Sequence, residues 1–349
     1  MAILKPIPFN KLIDALLDEN TPFSPRYLNR LSDLEPADTS IFAETWPKVT
    51  LRRREALLED LEEIHLADDL LCFEEVGRVA LKDSEPGVRR RAINILREYE
   101  LVDLLPTFVD MSEHDADADV RAASAAALAT YIYMGEVEDI SPTKLKRVEE
   151  CLLLLTSGTD TTLVRRRALE ALGFSSRKEV VGLIEKAYAS TDMEWLVTAL
   201  FAMGRSANPR WNRQVLKMLN HEHPLVRAEA ASSAGELEIK EAVPDLLELL
   251  EDTDIDVRMA SVWSLSQTGG EGVRGALENL LETTEDDDEA NQIDNALENL
   301  DFTEEMRDLA LLEIPEDEDI PENGNEPGDA SEDYFDNDLE ELNAEDNED

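Results

Sequence analysis

Aromatic residues make up only 5% of this 349-residue chain. A β-sandwich core, which draws on aromatic and β-branched side chains, is poorly supported by that composition. Cysteine occurs twice, at Cys72 and Cys151, far apart and outside any C-x-x-C spacing, so neither a disulfide framework nor a zinc site is expected. Basic residues are outnumbered 80 to 33 by acids, for a net charge of −47. A far field of that sign repels phosphate backbones and anionic lipid headgroups, so neither nucleic acid nor a membrane is an expected partner. No run approaches the ~18 consecutive apolar residues of a membrane span. The opening "MAILKPIPFNKLIDALLDEN" lacks the apolar region and small-residue cleavage site of a secretory signal, which makes a cytoplasmic location the expectation. Neither a Gly-x-Ser-x-Gly elbow nor a glycine-rich phosphate loop occurs. No catalytic residue, metal or cofactor is therefore expected.

What the chain does have is a period. The stretch "TDIDVRMASVWSLSQTGG" from Thr253 is preceded 31 residues earlier by "EHPLVRAEAASSAGE" and 31 before that by "TDMEWLVTALFAMGR". Placing the valine of each unit in register gives anchors at Val88, Val120, Val164, Trp195, Val226 and Val257, separated by 32, 44, 31, 31 and 31 residues. An earlier unit, "LRRREALLEDLEEI", fits with its register open by one residue. The long unit carries an insertion at 135–147, expected to form a turn between helices.

Three residues before the anchor stand Asp117, Thr161, Asp192, His223 and Asp254, mostly side chains that cap the free amides of a helix start. Pro86 and Pro224 fall at the first helical position, where a missing N–H costs little. Gly173, Gly204 and Gly235 share a column nine residues after the anchor and read as helix ends or close-packing points. The anchor and the fourth, seventh and eighth residues after it are mostly apolar or small, a stripe at helical spacing. The preceding half-unit is also amphipathic, as in "EAVPDLLELLED". Each unit is thus a helical hairpin, which must stack on its neighbours to bury both faces.

The pattern of an acid, Val-Arg and small residues ending near Leu-Gly, seen in "DADVRAASAAALA", "TLVRRRALEALG", "PLVRAEAASSAG" and "DIDVRMASVWSLS", resembles the HEAT-repeat superfamily, particularly the short bacterial type of phycobilisome-lyase-like proteins. The resemblance covers roughly residues 46 to 300. It implies an all-α fold: a right-handed α-solenoid of about seven hairpins, with residues 1–45 as an N-terminal helical cap, 46–312 as the solenoid and its C-terminal cap, and 313–349 as a tail. That tail has 18 acids and no Lys or Arg, so disorder is expected.

The resemblance implies a non-catalytic protein-binding scaffold or adaptor that uses its concave surface, the partner being an unidentified protein. An alternative within the same resemblance is a lyase or chaperone-like accessory acting on a cofactor-bearing protein. A bound pigment or iron would show in its absorption spectrum. The di-iron deoxyhypusine hydroxylases are HEAT-like too, but their several His-Glu pairs are reduced here to His221-Glu222. The His221–His223 run reads as a turn and cap.

Candidate binding residues follow from helical angles of about 100° per residue. The arginines after the anchor, at positions 89, 121, 165, 227 and 258, lie at the stripe's edge and are expected to form a structural ladder with acids at neighbouring helix starts. One position further, Arg90 and Arg166 are expected to be exposed as a basic spot. In the sixth column after the anchor, Phe201 and Trp263, joined by Val197 and Met259, are expected to form an apolar patch. In the tail, Phe335, Leu339 and Leu342 lie at i, i+4 and i+7, an apolar stripe that could dock on that surface.

Overall fold

The computed structural model describes residues 7–67 and 70–312, and among them the chain is helical with no strand. The expected all-α solenoid of stacked hairpins is the observed fold. Three short elements come first: α1 (Phe9–Leu17), a 3-10 turn (Pro25–Leu31) and α2 (Pro36–Thr45). Proline precedes the first and opens the other two. The hairpin helices follow as α3 (Leu51–Ala67), α4 (Glu74–Ala80), α5 (Pro86–Leu96), α6 (Leu105–His114), α7 (Ala118–Glu136), α8 (Pro142–Ser157), α9 (Thr162–Ala171) and α10 (Lys178–Tyr188). After them run α11 (Met193–Arg205), α12 (Asn212–Met218), α13 (Pro224–Glu236), α14 (Val243–Leu249), α15 (Ile255–Thr268), α16 (Val273–Thr283) and α17 (Asp287–Leu312). Of the described residues, those up to 304 belong to one compact unit and 305–312, the end of α17, to a second. The proposed tail helix with Phe335, Leu339 and Leu342 lies outside the described residues.

The seven odd-numbered helices from α3 to α15 occupy the second place of each hairpin. From α5 to α13 each packs on the even helix before it and on the odd helices to either side, while α3 packs on α5, and α15 on α13 and α14. The caps work as their residue types demand. Asp117, Thr161, Asp192 and Asp254 accept first-turn amides through side-chain oxygens, and His223 does so through Nδ1 at 3.3 Å from the Leu225 amide. Anchors Val88, Val120, Val164, Val226 and Val257 are fully buried, as are the residues four and eight beyond Val164, Ala168 and Leu172. Trp195 alone is half-buried.

The glycine column is a line of close approach between successive second helices. A Cβ on Gly173 would stand 3.1 Å from Cα of Ala202, and one on Gly204 3.1 Å from Cα of Ser233. On Gly235 it would stand 2.9 Å from Cα of Ser264 and 2.7 Å from the Trp263 ring. The facing serines turn this proximity into hydrogen bonds: Ser233 donates to the Leu200 carbonyl at 2.8 Å, and Ser264 donates to that of Ala231.

The insertion at 135–147 is not the expected long turn. It lengthens α7 to 19 residues and α8 to 16, leaving a connection of five residues. Gly135 makes this possible, because a Cβ there would lie 2.6 Å from the Leu145 side chain. Elongation buries Tyr131, Ile132 and Met134, which a solvated turn would not.

Candidate functional site

The arginine ladder is the organising charge pattern, and it defines what remains available for binding. Arg89 forms a two-pronged pair with Asp115 (2.7 and 2.9 Å), Arg121 with Asp160 (2.7 and 2.8 Å), and Arg227 with Asp252 (2.7 and 2.9 Å). Arg258 pairs with Glu289 through a single nitrogen. Arg54 pairs with Asp83, which resolves the register of the first unit. Each guanidinium of the first three also donates to two carbonyls of its own preceding loop, as Arg227 does to His221 and Glu222. Hydrogen bonds from Arg121, Arg227 and Arg258 hold Asp160, Asp252 and Glu289 below the usual carboxylate range. For Asp115, burial pushes upward, yet the bonds from Arg89 and the Asp117 amide bring it down overall.

Two candidate arginines behave differently. Arg90 is exposed. Arg166 is not the exposed basic spot expected of its column: its side chain is 14% exposed, pairs with Glu194 at 2.7 Å and donates to the Thr198 hydroxyl at 3.0 Å. The reason lies in the stack, because the start of α11 brings Glu194 over the flank of α9. Thr198 in turn donates to Glu170 at 2.8 Å, and Arg167 reaches the same carboxylate at 2.6 Å. Arg166, Thr198, Glu170 and Arg167, with Glu194, thus form one network of two cations and two anions.

The sixth column after the anchor is not uniformly solvated either. It runs from buried Glu170 to Trp263, 40% exposed, with Phe201 half-buried between these extremes. Second helices flank it on both sides, so it faces clefts rather than open water. The expected single patch is divided in two. Met259 and Trp263 line one cavity of about 390 Å³ with Asn295 and Asn299 of α17. Phe201 lines another, of about 380 Å³, against α7 and α9. Helix α13, with Ala228, Glu229 and Ser232 on the intervening face, separates them. Val197 is half-buried and packs against the core.

The cleft at Phe201 is the richer site. Arg205 lies over the Phe201 ring at 4.5 Å and over the Phe174 ring at 4.8 Å, and Tyr133 meets Phe174 edge-on at 5.6 Å. Tyr133 is 48% exposed. Among the described residues no carboxylate stands within ion-pair distance of Arg205. Burial lowers its affinity for a proton, while the charges of Glu236 and Glu229 pull the other way. Glu229 beneath it is pushed up to about 7, first by burial and then by the charge of Glu170, with Arg205 opposing. Sequence reasoning missed Tyr133, Phe174 and Arg205. For Phe174 and Arg205 the signal was the tenth column after the anchor, one helical turn beyond the sixth that holds Phe201; Tyr133 stands three residues further along its own unit.

A larger cavity, about 490 Å³, lies between the start of α3 and the loop after α1. Its Arg53 is already committed to the carbonyls of Asp18 and Thr21. Cys151 is buried, its thiol pushed up to about 11 by burial, which suits a packing residue and not a nucleophile. His221 and His223 serve turns: Nδ1 of His221 accepts the His223 amide at 3.1 Å. No group of three metal-ligating side chains occurs among the described residues, and no helix there is long and apolar enough to cross a membrane.

With the stack, the caps and the ladder in place, comparison with known proteins agrees with the architecture. Residues 212–298, covering α12 to the first part of α17, match the family profile described as HEAT repeats. That segment carries HEAT repeats. Solved structures similar to this chain include the Escherichia coli protein YibA, at 16% identity over 81% of this chain and 99% of that one, with a TM-score of 0.41. Another is the complex of CpcE and CpcF of phycocyanin lyase from Nostoc sp., at 18% identity over 65% and 94%, with a TM-score of 0.43. A third is human deoxyhypusine hydroxylase in complex with glycerol, at 16% identity over 84% and 96%, with a TM-score of 0.36. At these identities and scores the likenesses carry no functional assignment. No curated protein shows a significant match to the chain.

Proposed function

We propose that this protein is a non-catalytic binding scaffold whose partner protein docks on the cleft formed by α7, α9 and α11. The observation that carries the reading is the arrangement of Arg205, stacked on Phe174 and Phe201 beside exposed Tyr133, with no carboxylate of the described residues paired to it. A guanidinium held flat by two rings is positioned without an ion pair. Aromatic and arginine side chains gathered in one concavity are the residue types that dominate protein-binding hot spots. The segment that fits would place an apolar side chain against Tyr133 and Phe174 and a hydrogen-bond acceptor toward Arg205.

Arg90 and the Met259–Trp263 cavity are secondary contact points in this reading, and Arg166 acts through the network that orders Glu170. The experiment is a binding comparison of Phe201→Ser, Arg205→Gln and Trp263→Ser with the unaltered protein. The first two are expected to weaken the partner complex at least tenfold, and the third to have a smaller effect. Undiminished binding by both cleft variants would overturn the assignment.

A further inference from the structure

The arginine ladder is broken at one point, and the break leaves a charged side chain facing a cavity. Arg165 occupies the ladder column of α9, but the loop position that holds Asp115 and Asp252 in other units is here Ser190. The Ser190 hydroxyl accepts the Asp192 amide at 3.1 Å, just as Asp115 accepts that of Asp117 and Asp252 that of Asp254, both at 3.0 Å. The exchange therefore keeps the turn and removes the charge. At the next rung both members have changed together, to Leu196 and His221. Only at Arg165 has the acid gone while the arginine stays.

Arg165 donates from Nε to the Thr156 carbonyl at 3.2 Å and covers the Trp195 ring at 5.4 Å. No carboxylate among the described residues lies within 4.0 Å of its guanidinium. Beside it opens a cavity of about 200 Å³ lined by Ser157, Leu169, Leu183, Lys186, Ser190 and Trp195. Lys186 is exposed and likewise without an ion pair among the described residues. The lining thus carries two cations and no acid. It shares no residue with the cleft around Phe201.

We infer that this cavity receives an aspartate or glutamate side chain from an acidic segment of a partner protein, which completes the Arg165 rung from outside. Three features select that chemistry. The other ladder arginines each hold a carboxylate, so the column presents its guanidinium in the geometry of such a pair. Serine in place of aspartate leaves the volume that the carboxylate fills elsewhere. Trp195, Leu169 and Leu183 supply an apolar wall for a neighbouring side chain, which a free inorganic anion would not use. The inference does not depend on the Phe201 cleft, and either can fail alone.

The test titrates the full-length protein with an acetylated, amidated Leu-Asp-Leu peptide, its Asn counterpart and inorganic phosphate, following tryptophan fluorescence. Saturable binding of the aspartyl peptide, with the asparaginyl peptide and phosphate at least tenfold weaker, is expected. Ser190→Asp should close the rung internally, raising the melting temperature by a few degrees and weakening the peptide at least tenfold. The proposal is overturned if Ser190→Asp changes neither stability nor binding, or if the asparaginyl peptide or phosphate binds as well as the aspartyl peptide.

Discussion

Arg227 and Asp252 meet through two hydrogen bonds, and the same guanidinium reaches back to the carbonyls of His221 and Glu222. One side chain therefore fixes its own loop and the loop of the following hairpin. Both partners are mostly shielded, at 16% and 9% exposure, so screening by solvent is limited and a missing partner leaves a poorly hydrated charge. Arg227→Ala should destabilise by about 2–3 kcal/mol, with a coupling of about 1–2 kcal/mol to Asp252→Ala in a double-mutant cycle. Arg227→Lys should recover little, because an ammonium cannot serve both loops as a planar fork does. Chemical denaturation of the four proteins measures this directly. A coupling near zero would remove the ladder from the account of stability.

Glycine substitutions should separate close approach from helix propensity. Gly235→Ala places a methyl against Ser264 and Trp263 and should cost about 1–3 kcal/mol through overpacking. Gly182 in α10 has nothing within 4 Å of the same position, so Gly182→Ala should stabilise by roughly 0.5–1 kcal/mol through helix propensity. Opposite signs in thermal melts are the expected result, and equal signs would contradict the packing described.

Stability should pass through a maximum near pH 5. Below it, Asp160, Asp252 and Glu289 are held under their ordinary values of 3.8, 3.8 and 4.5 by ladder arginines, so the stability they contribute starts to fall as pH drops through those unfolded values and is lost as it passes the lower folded ones. Above it, Glu229 acts with the opposite sign. The unfolded chain releases that proton near 4.5 and the folded protein near 7, so the folded state binds more protons between those values and stability declines as pH rises through them. At about 1.4 kcal/mol per unit the decline is about 3 kcal/mol at most. Glu229→Gln should flatten the alkaline limb and raise stability at pH 8. Melting curves from pH 3 to 9 would show it, and an unchanged slope between pH 5 and 7 in the variant would exclude Glu229 as the cause.

The two aromatic candidates should differ in their contribution to the fold. Trp263 is 40% exposed and rests one ring edge near Gly235, so Trp263→Ser is expected to cost about 1–2 kcal/mol. Fully buried Trp211, replaced by Ser, should lose more than about 3 kcal/mol. Similar losses in the two would place Trp263 in the core.

Much of the architecture could be read from spacing. A period near 31 residues forces stacking, and once stacking is assumed, the caps, the buried stripe and the arginine column take their places without further information. The expectations that failed share a physical cause. Arg166 and the sixth column were assigned to solvent from the angles of a single helix, but a helix in a stack has lateral neighbours. Glu194 arrives at Arg166 from the next unit, and α13 stands between Phe201 and Trp263. The insertion reads as a turn because Gly135 and Pro142 bracket polar residues. In the fold that glycine instead permits Leu145 to approach, and both helices extend. Ser190 was legible in principle, since aligning the loop before each cap exposes the missing aspartate.

If a partner protein occupies the cleft at Phe201 and Arg205, site-specific photocrosslinking from within the cleft will capture it. A benzophenone side chain placed at position 201 in the full-length protein, activated in native cells, should give a discrete adduct. The adduct should disappear when Arg205→Glu is introduced alongside. The same probe at exposed Leu154 on α8 should give none of that species. An adduct equally strong at 154, or one at 201 indifferent to Arg205→Glu, would contradict the assignment of the binding surface to this cleft.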